Sequence, residues 1–321
     1  MLGPLSVFAV RPGEFGSAEA GRQPHNALQI GTPFIVLRHG PEQFQAPSTA
    51  SRYDGFLMPP TSDFHSRWAL ITGASSGIGT ALARELAARG AKLILMARRR
   101  DRLHALAAEL AAMGTETRVI VADLNDPAAP QQIFDVTEGS GLAVDILVNN
   151  AGLGLYGAFI ANDSAHELSQ VRVNCEAVVH LSRLFVPRMV ERRRGWVLVL
   201  ASTASFQPVP YLTTYAATKA FDRFFALGLA AEVARFGVKV TALCPGTTES
   251  EFFEVAHADK YRSRNLQSAE EVARLGIDAL ARGQRTIIPK RDGMFTAFLV
   301  RFLPVSFITH FIEKRTRPQS S

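Results

Sequence analysis

Three side chains between Leu200 and Lys219 have the types and spacing to work on one carbon–oxygen bond. Tyr215 and Lys219 stand four positions apart, and on a helix that spacing puts both on one face. Ser202 follows the apolar run Trp196-Val-Leu-Val-Leu200, which reads as a buried strand and leaves the hydroxyl at its end. A phenol is a poor proton donor or acceptor at neutral pH, because it titrates near ~10 in water. A neighbouring ammonium favours the phenolate. Lowering the phenol by about three units takes roughly 4 kcal/mol of differential stabilisation. Lys219 with a second cation or a strong hydrogen bond would supply that. A Tyr-x-x-x-Lys spacing by itself is a common accident of helix geometry, so the reading depends on the elements around it.

Those elements alternate strand and helix from Trp68 onward. Trp68–Thr72 is a strand, Gly73-Ala-Ser-Ser-Gly77-Ile-Gly79 a tight turn, and Ile78–Arg89 a helix closed by Gly90. Glycines at a strand-to-helix turn let the backbone approach a pyrophosphate, which then meets the open N–H groups of the helix. The spacing Gly-x-x-x-Gly-x-Gly departs from the Gly-x-Gly-x-x-Gly dinucleotide fingerprint. A second strand, Lys92–Ala97, ends in Arg98-Arg99-Arg100. An acidic residue at that point grips a ribose 2′-hydroxyl, whereas an arginine accommodates a 2′-phosphate. Ala97 holds the acidic position and Arg98 follows, so NADP is expected over NAD. Then come helix Leu103–Met113, strand Arg118–Ala122 with Asp123 and Leu124, and a helix capped by Asp126 with Pro127 first in it. Strand Asp145–Val148 precedes Asn149-Asn-Ala-Gly152. Ser164-Ala-His-Glu167 reads as a capping box for a long helix carrying Asn174. The Tyr215 helix runs from Thr213 through Phe236 to Gly237. Strand Lys239–Leu243 ends at Pro245-Gly246, Ser268-Ala-Glu-Glu271 forms a second capping box, and Thr286–Ile288 is the last strand.

Composition narrows the partners. The chain has 321 residues and a formal net charge of +6, too mild to select among phosphate ligands, anionic lipid and nucleic acid. No basic stripe with interleaved aromatics appears, so nucleic acid ranks last. The two cysteines, Cys175 and Cys244, fit reduced thiols of a cytoplasmic protein better than a disulfide framework. No Cys-x-x-Cys or His-Glu-x-x-His occurs, and no metal is expected. Residues 1–65 are rich in Gly, Pro, Ser and Gln and read as a mostly disordered extension with one candidate strand at Phe34–Leu37. Leu2–Val10 lacks a basic flank and an Ala-x-Ala site, so a signal peptide is not expected, and Met58 is an alternative start. Residues 291–321 carry Phe295, Phe298, Leu299, Phe302, Val305, Ile308 and Ile312 at near-helical spacing. A membrane span needs about 20 apolar residues, and Arg301 and Pro304 interrupt this stretch. Two short amphipathic helices are expected, serving as a lid, as a contact in a homo-oligomer, or on a membrane surface.

Taken together, these residues resemble the short-chain dehydrogenases/reductases. Thr72–Gly79 is similar to that family's nucleotide loop, Asp123 to its adenine-contacting aspartate, and Asn149–Gly152 to its Asn-Asn-Ala-Gly motif. Asn174, Ser202, Tyr215 and Lys219 match its catalytic tetrad, including the thirteen-residue step from serine to tyrosine. Pro245-Gly246 matches the motif after strand six. The likeness covers residues 66–290 and implies a Rossmann-type doubly wound parallel sheet of about seven strands in one domain. It implies an NADP(H)-dependent oxidoreductase interconverting a carbonyl and an alcohol. Gly73, Ser75, Ser76, Gly77, Ile78, Gly79, Arg98, Asp123, Leu124, Asn150, Ala151, Gly152, Tyr215, Lys219, Pro245, Gly246 and Ser250 would contact the cofactor. Lys219 would hold the nicotinamide ribose and depress Tyr215, and Tyr215 would pass the proton. Ser202 would hold the substrate oxygen, and Asn174 would anchor a relay water. Two departures stand out: serine rather than threonine at 250, and Ser76 where NADP-using members place a basic residue. Phe206, Val209, Pro210, Tyr211, Phe252 and Phe253 suggest a lipophilic substrate. A catalytically silent NADP(H)-binding sensor or scaffold is the competing class, since fold does not fix function.

Overall fold

The structure is a computed structural model and describes residues 63–249, 251, 256, 266–300 and 302–318. Residues 1–62 of the expected N-terminal extension, with its strand at Phe34–Leu37, lie outside the described residues, as do Ser250, Phe252 and Phe253. Seven parallel strands form one sheet: β1 (Trp68–Thr72), β2 (Lys92–Ala97), β3 (Thr117–Val121), β4 (Val144–Asn149), β5 (Gly195–Leu200), β6 (Val238–Leu243) and β7 (Thr286–Ile287). Their spatial order is β3-β2-β1-β4-β5-β6-β7. The chain therefore winds outward from β1 in one direction, then returns to β4 and winds the other way. The crevice between the C-terminal ends of β1 and β4 is the switch point at which such sheets bind ligands.

Both faces of the sheet are covered, so the inner strands are largely apolar and successive residues serve opposite cores. Ile71, Leu93, Leu95, Trp196 and Leu198 face α1 (Gly77–Ala88), α2 (Arg100–Ala112) and, later in the chain, α7 (Ala269–Arg282). Leu70, Ile94, Met96, Val197 and Val199 face α3 (Ala129–Asp135), α5 (Ala177–Glu191) and α6 (Thr213–Val233). Phe64, two residues before the expected start of the domain, is wholly buried and meets Trp196 edge-on at 5.4 Å.

Most element starts and stops follow local chemistry. The Tyr215 helix ends through a short 3-10 turn at Gly237, whose φ of 76° suits glycine. Ser268 caps α7 by accepting from Glu271 N. Two expected helix starts are corrected. At α4 (Ser164–Val171) the cap is Asp163, which accepts from Ala165 N and His166 N, so Ser164 is already helical. Glu167, rather than closing a capping box, accepts from Asn162 and Gln170 side chains. Asp126 makes a local turn to Ala128 N, and α3 begins two residues beyond Pro127.

After Arg291–Leu299 (α8) the chain turns at Pro304 into Val305–Thr316 (α9), the expected pair of short helices. The second is docked through Glu313, which accepts from Tyr211 Oη at 3.1 Å, and Thr316 O, which accepts from Tyr156 Oη at 2.9 Å. Ile308 is buried, whereas Phe295, Phe298, Phe302, Val305, Phe307 and Phe311 are exposed. No helix among the described residues is long and apolar enough to cross a membrane.

Candidate active site

A cavity of about 420 Å³ opens at the switch point. Its floor is built by hydrogen bonds that tie the ends of β1 and β4 together. Thr72 Oγ1 donates to Val148 O and accepts from the backbone N–H of Asn150 and Ala151. Asn150 Nδ2 donates to Thr72 O at 2.8 Å and to Gly73 O at 3.3 Å. The glycine turn is packed so closely that side chains are excluded from it. A Cβ on Gly79 would lie 2.2 Å from Gly73 O and 2.6 Å from Asn150 Nδ2. Ser76 caps α1 without any side-chain bond to its first N–H groups, and no acidic residue lies in that turn. Those donors and their partial positive charge face the space where a pyrophosphate fits.

The cavity wall brings together Gly73, Ser75, Ser76, Gly77, Ile78, Gly79, Arg98, Asp123, Leu124, Asn150, Ala151, Gly152, Ser202, Tyr215, Lys219, Pro245 and Gly246, all singled out from sequence. At the basic end Arg98 lines the cavity, is well exposed, and approaches Asp123 at 3.9 Å. Arg99 turns onto the glycine loop instead, donating to Ser75 Oγ at 3.2 Å and Ser76 Oγ at 2.6 Å. Glu251 bridges Arg99 and Arg102, and these two guanidinium groups hold its carboxyl below the usual range. Arg99 and Glu251 were missed because an arginine run gives no clue to which member curls back. The two serines at 75 and 76, as acceptors facing the end of β2, were the available signal.

At the other end Tyr215, half-buried in the cavity wall, hydrogen-bonds Ser202 and feels the Lys219 charge. Ser202 Oγ also accepts from Ala204 N, which fixes the hydroxyl at the end of β5. Lys219, 4% exposed, donates to Leu200 O at 2.7 Å and to Asp222 Oδ2 at 3.0 Å. Burial disfavours this ammonium, but the Asp222 carboxylate beside it more than compensates, so it stays charged. The expected depression of Tyr215 is reversed in this state. Burial pushes the phenol above its ordinary value, and the pull of Lys219 and Ser202 only partly offsets it, with Asp222 adding to the rise.

Asn174 lies behind the cavity on a π-helical turn, Arg172–Glu176, between α4 and α5. Its side chain clamps one loop residue, accepting from Leu153 N and donating to Leu153 O, and reaches Thr218 Oγ1 at 2.8 Å. A Cβ on Gly152 would sit 3.4 Å from both Asn174 Oδ1 and Lys219 Nζ, so glycine lets this loop pass between them. Of the expected substrate-facing residues, Phe206 packs under the Arg223 guanidinium at 4.1 Å and Tyr211 joins Glu313; Leu212, which the sequence did not single out, lines the cavity wall. Tyr211 has a φ of 65°, uncommon for a bulky side chain. Its carbonyl accepts from Gly157 N as well, so contacts on both sides hold that conformation.

Comparison with known proteins agrees with this geometry. A very-long-chain 3-oxoacyl-CoA reductase from Anas platyrhynchos is 37% identical over 56% of this chain and 58% of its own length. The chain thus spans little more than half of that relative. Hydroxysteroid dehydrogenase-like protein 1 from Gallus gallus is 34% identical over 69% of this chain and 68% of its own. Among solved structures, a short-chain dehydrogenase from Sphingobium yanoikuyae in complex with NADPH superposes with a TM-score of 0.67 at 30% identity, covering 74% of this chain and 96% of that one. The family profile described as short chain dehydrogenase matches residues 67–260, and the chain belongs to that family.

Proposed function

We propose that the protein is an NADPH-dependent oxidoreductase that interconverts a carbonyl and an alcohol on a lipophilic substrate. One observation carries this reading: the Tyr215–Ser202–Lys219 group and the glycine turn Gly73–Gly79 line the same cavity. A proton donor and a dinucleotide cradle therefore share one space. The residues fit the cofactor, since the turn excludes side chains, the α1 N-terminus is uncapped by Ser76, and Arg99 stands beside the serines of the loop. Gly73–Gly79 would hold the pyrophosphate, Arg99 the 2′-phosphate, Asp123 and Leu124 the adenine, and Asn150–Gly152 with Pro245 and Gly246 the nicotinamide half. When bound, NADPH supplies the hydride for the carbonyl carbon.

The chain's own residues supply the rest. Tyr215 Oη passes its proton to the carbonyl oxygen as that oxygen gains electrons, and takes it back in the reverse direction. Ser202 Oγ steadies the oxygen while charge builds on it. Lys219 keeps a positive charge one helical turn from the phenol. Asn174, with its side chain committed to Leu153 and Thr218, positions the loop that carries Gly152. One relative is a very-long-chain 3-oxoacyl-CoA reductase and another is named for its likeness to hydroxysteroid dehydrogenases, and the exposed aromatic helices at the C-terminus suit a substrate of that polarity. Those helices would lie against lipid headgroups as a peripheral contact, and the exposed Phe221 and Phe224 of α6 would be covered by a second copy. The test is NADPH oxidation by purified protein against 3-oxoacyl thioesters, ketosteroids, retinoids and aromatic ketones. Turnover of at least one class is expected. Tight NADPH binding with silence across the panel would favour a sensor.

A further inference from the structure

The proposed reaction gives tasks to Tyr215, Ser202 and Lys219 and leaves one charged neighbour without any. Asp222 lies one turn beyond Lys219 on α6 and is 1% exposed. Its Oδ2 accepts from Lys219 Nζ at 3.0 Å, while its Oδ1, also buried, has no hydrogen-bond partner among the described residues. A carboxylate removed from water is costly, and one with an unsatisfied oxygen more so. What the carboxylate adds is charge. An ammonium has three donors, and two of them here go to Leu200 O and Asp222 Oδ2. Seen from Tyr215 the carboxylate's charge opposes the ammonium's, so part of the ammonium's pull toward phenolate is offset.

We propose that Asp222 is a positioning residue that offsets part of the Lys219 charge felt by Tyr215, favouring the protonated phenol and fitting the site for carbonyl reduction. This rests on the function proposed above and assigns it a direction. The groups facing Asp222 are Lys219 and Tyr215 on its own helix and Cys175 on the π-helical turn. Cys175 adds no charge, since burial pushes its thiol up to about 12. Asp222 itself is pushed up to about 6 by burial, against the pull of Lys219. It is thus ionised at neutral pH.

The experiment reads the phenol directly. Ultraviolet difference titration of wild type against Tyr215→Phe, both saturated with NADP+, isolates the Tyr215 phenolate without requiring turnover. In Asp222→Asn the same subtraction is expected to give a midpoint lower by about one unit, the effect of unmasking a neighbouring cation. Alcohol oxidation below that midpoint should rise about tenfold in step. Asp222→Glu should restore the wild-type midpoint, which a merely structural role would not require. An unmoved or raised midpoint in Asp222→Asn overturns the proposal. If that variant does not fold, the wild-type oxidation profile carries the test. Protonation of Asp222 at about 6 should flatten the fall in rate with decreasing pH between about pH 5 and 7, by the same tenfold. An unbroken unit slope there overturns it equally. A shifted midpoint in a protein that turns over no substrate would instead sink the reductase reading and leave the charge effect standing.

Discussion

Replacing Arg99 with alanine tests how the cofactor pocket distinguishes a 2′-phosphate from a 2′-hydroxyl. Arg99 reaches Ser75 and Ser76 on the glycine turn, whereas Arg98 points to Asp123 at 3.9 Å with most of its side chain in water. A hydrogen bond to a charged group contributes about 1.5–3 kcal/mol. Two features place the effect at the low end. Arg99 is 42% exposed, and Glu251 already holds its guanidinium, so a phosphate exchanges one anion for another. About 1.5 kcal/mol corresponds to roughly a tenfold change in dissociation constant. Calorimetric titration with 2′,5′-ADP and 5′-AMP separates the phosphate from the rest of the nucleotide. Arg99→Ala should weaken 2′,5′-ADP about tenfold and leave 5′-AMP unchanged, with Arg98→Ala costing less than about threefold. Equal losses on both nucleotides, or a larger loss from Arg98→Ala, would refute the assignment.

Glu251→Gln removes the competing carboxylate, so 2′,5′-ADP should bind a few-fold tighter, by about 0.5–1 kcal/mol as for a surface ion pair; weaker binding would contradict the competition. Gly79→Ala forces a Cβ to within 2.2 Å of Gly73 O, and should cost about 1–3 kcal/mol in urea unfolding together with nucleotide binding. The Asp222 carboxyl titrates higher in the folded chain, at about 6, than its ordinary 3.8. The folded state therefore binds more protons between those values, and stability falls as pH rises through them. The contribution is up to about 3 kcal/mol, and a wild-type minus Asp222→Asn stability difference should show that slope between pH 4 and 6.

How much of this was legible in sequence depends on the range of the interaction involved. Strand periodicity, glycine punctuation and the Tyr215–Lys219 spacing are local, and the sheet, the cavity and its lining followed from them. The capping residue of α4 did not, because Asp163 and Ser164 are adjacent and either can accept from the first turn. The choice between Arg98 and Arg99 turns on a contact with a loop 23 and 24 residues away. The direction of the Tyr215 shift escaped for a sharper reason. Lys219 was visible as a cation, but the desolvation that outweighs it comes from how the chain packs around the phenol, with Asp222 adding to the rise. Phe64 gave no periodic signal either, since a single aromatic before the first strand acquires meaning only against Trp196.

The most direct test of the account is Tyr215→Phe with NADPH and the best carbonyl substrate from the panel. Loss of the phenolic proton should reduce turnover by about 10²–10⁴-fold, the scale of general acid catalysis, while NADPH binding stays at the wild-type level. Turnover that survives the substitution, or nucleotide binding that vanishes with it, would contradict the claim that this phenol and the cofactor's hydride meet at one carbonyl.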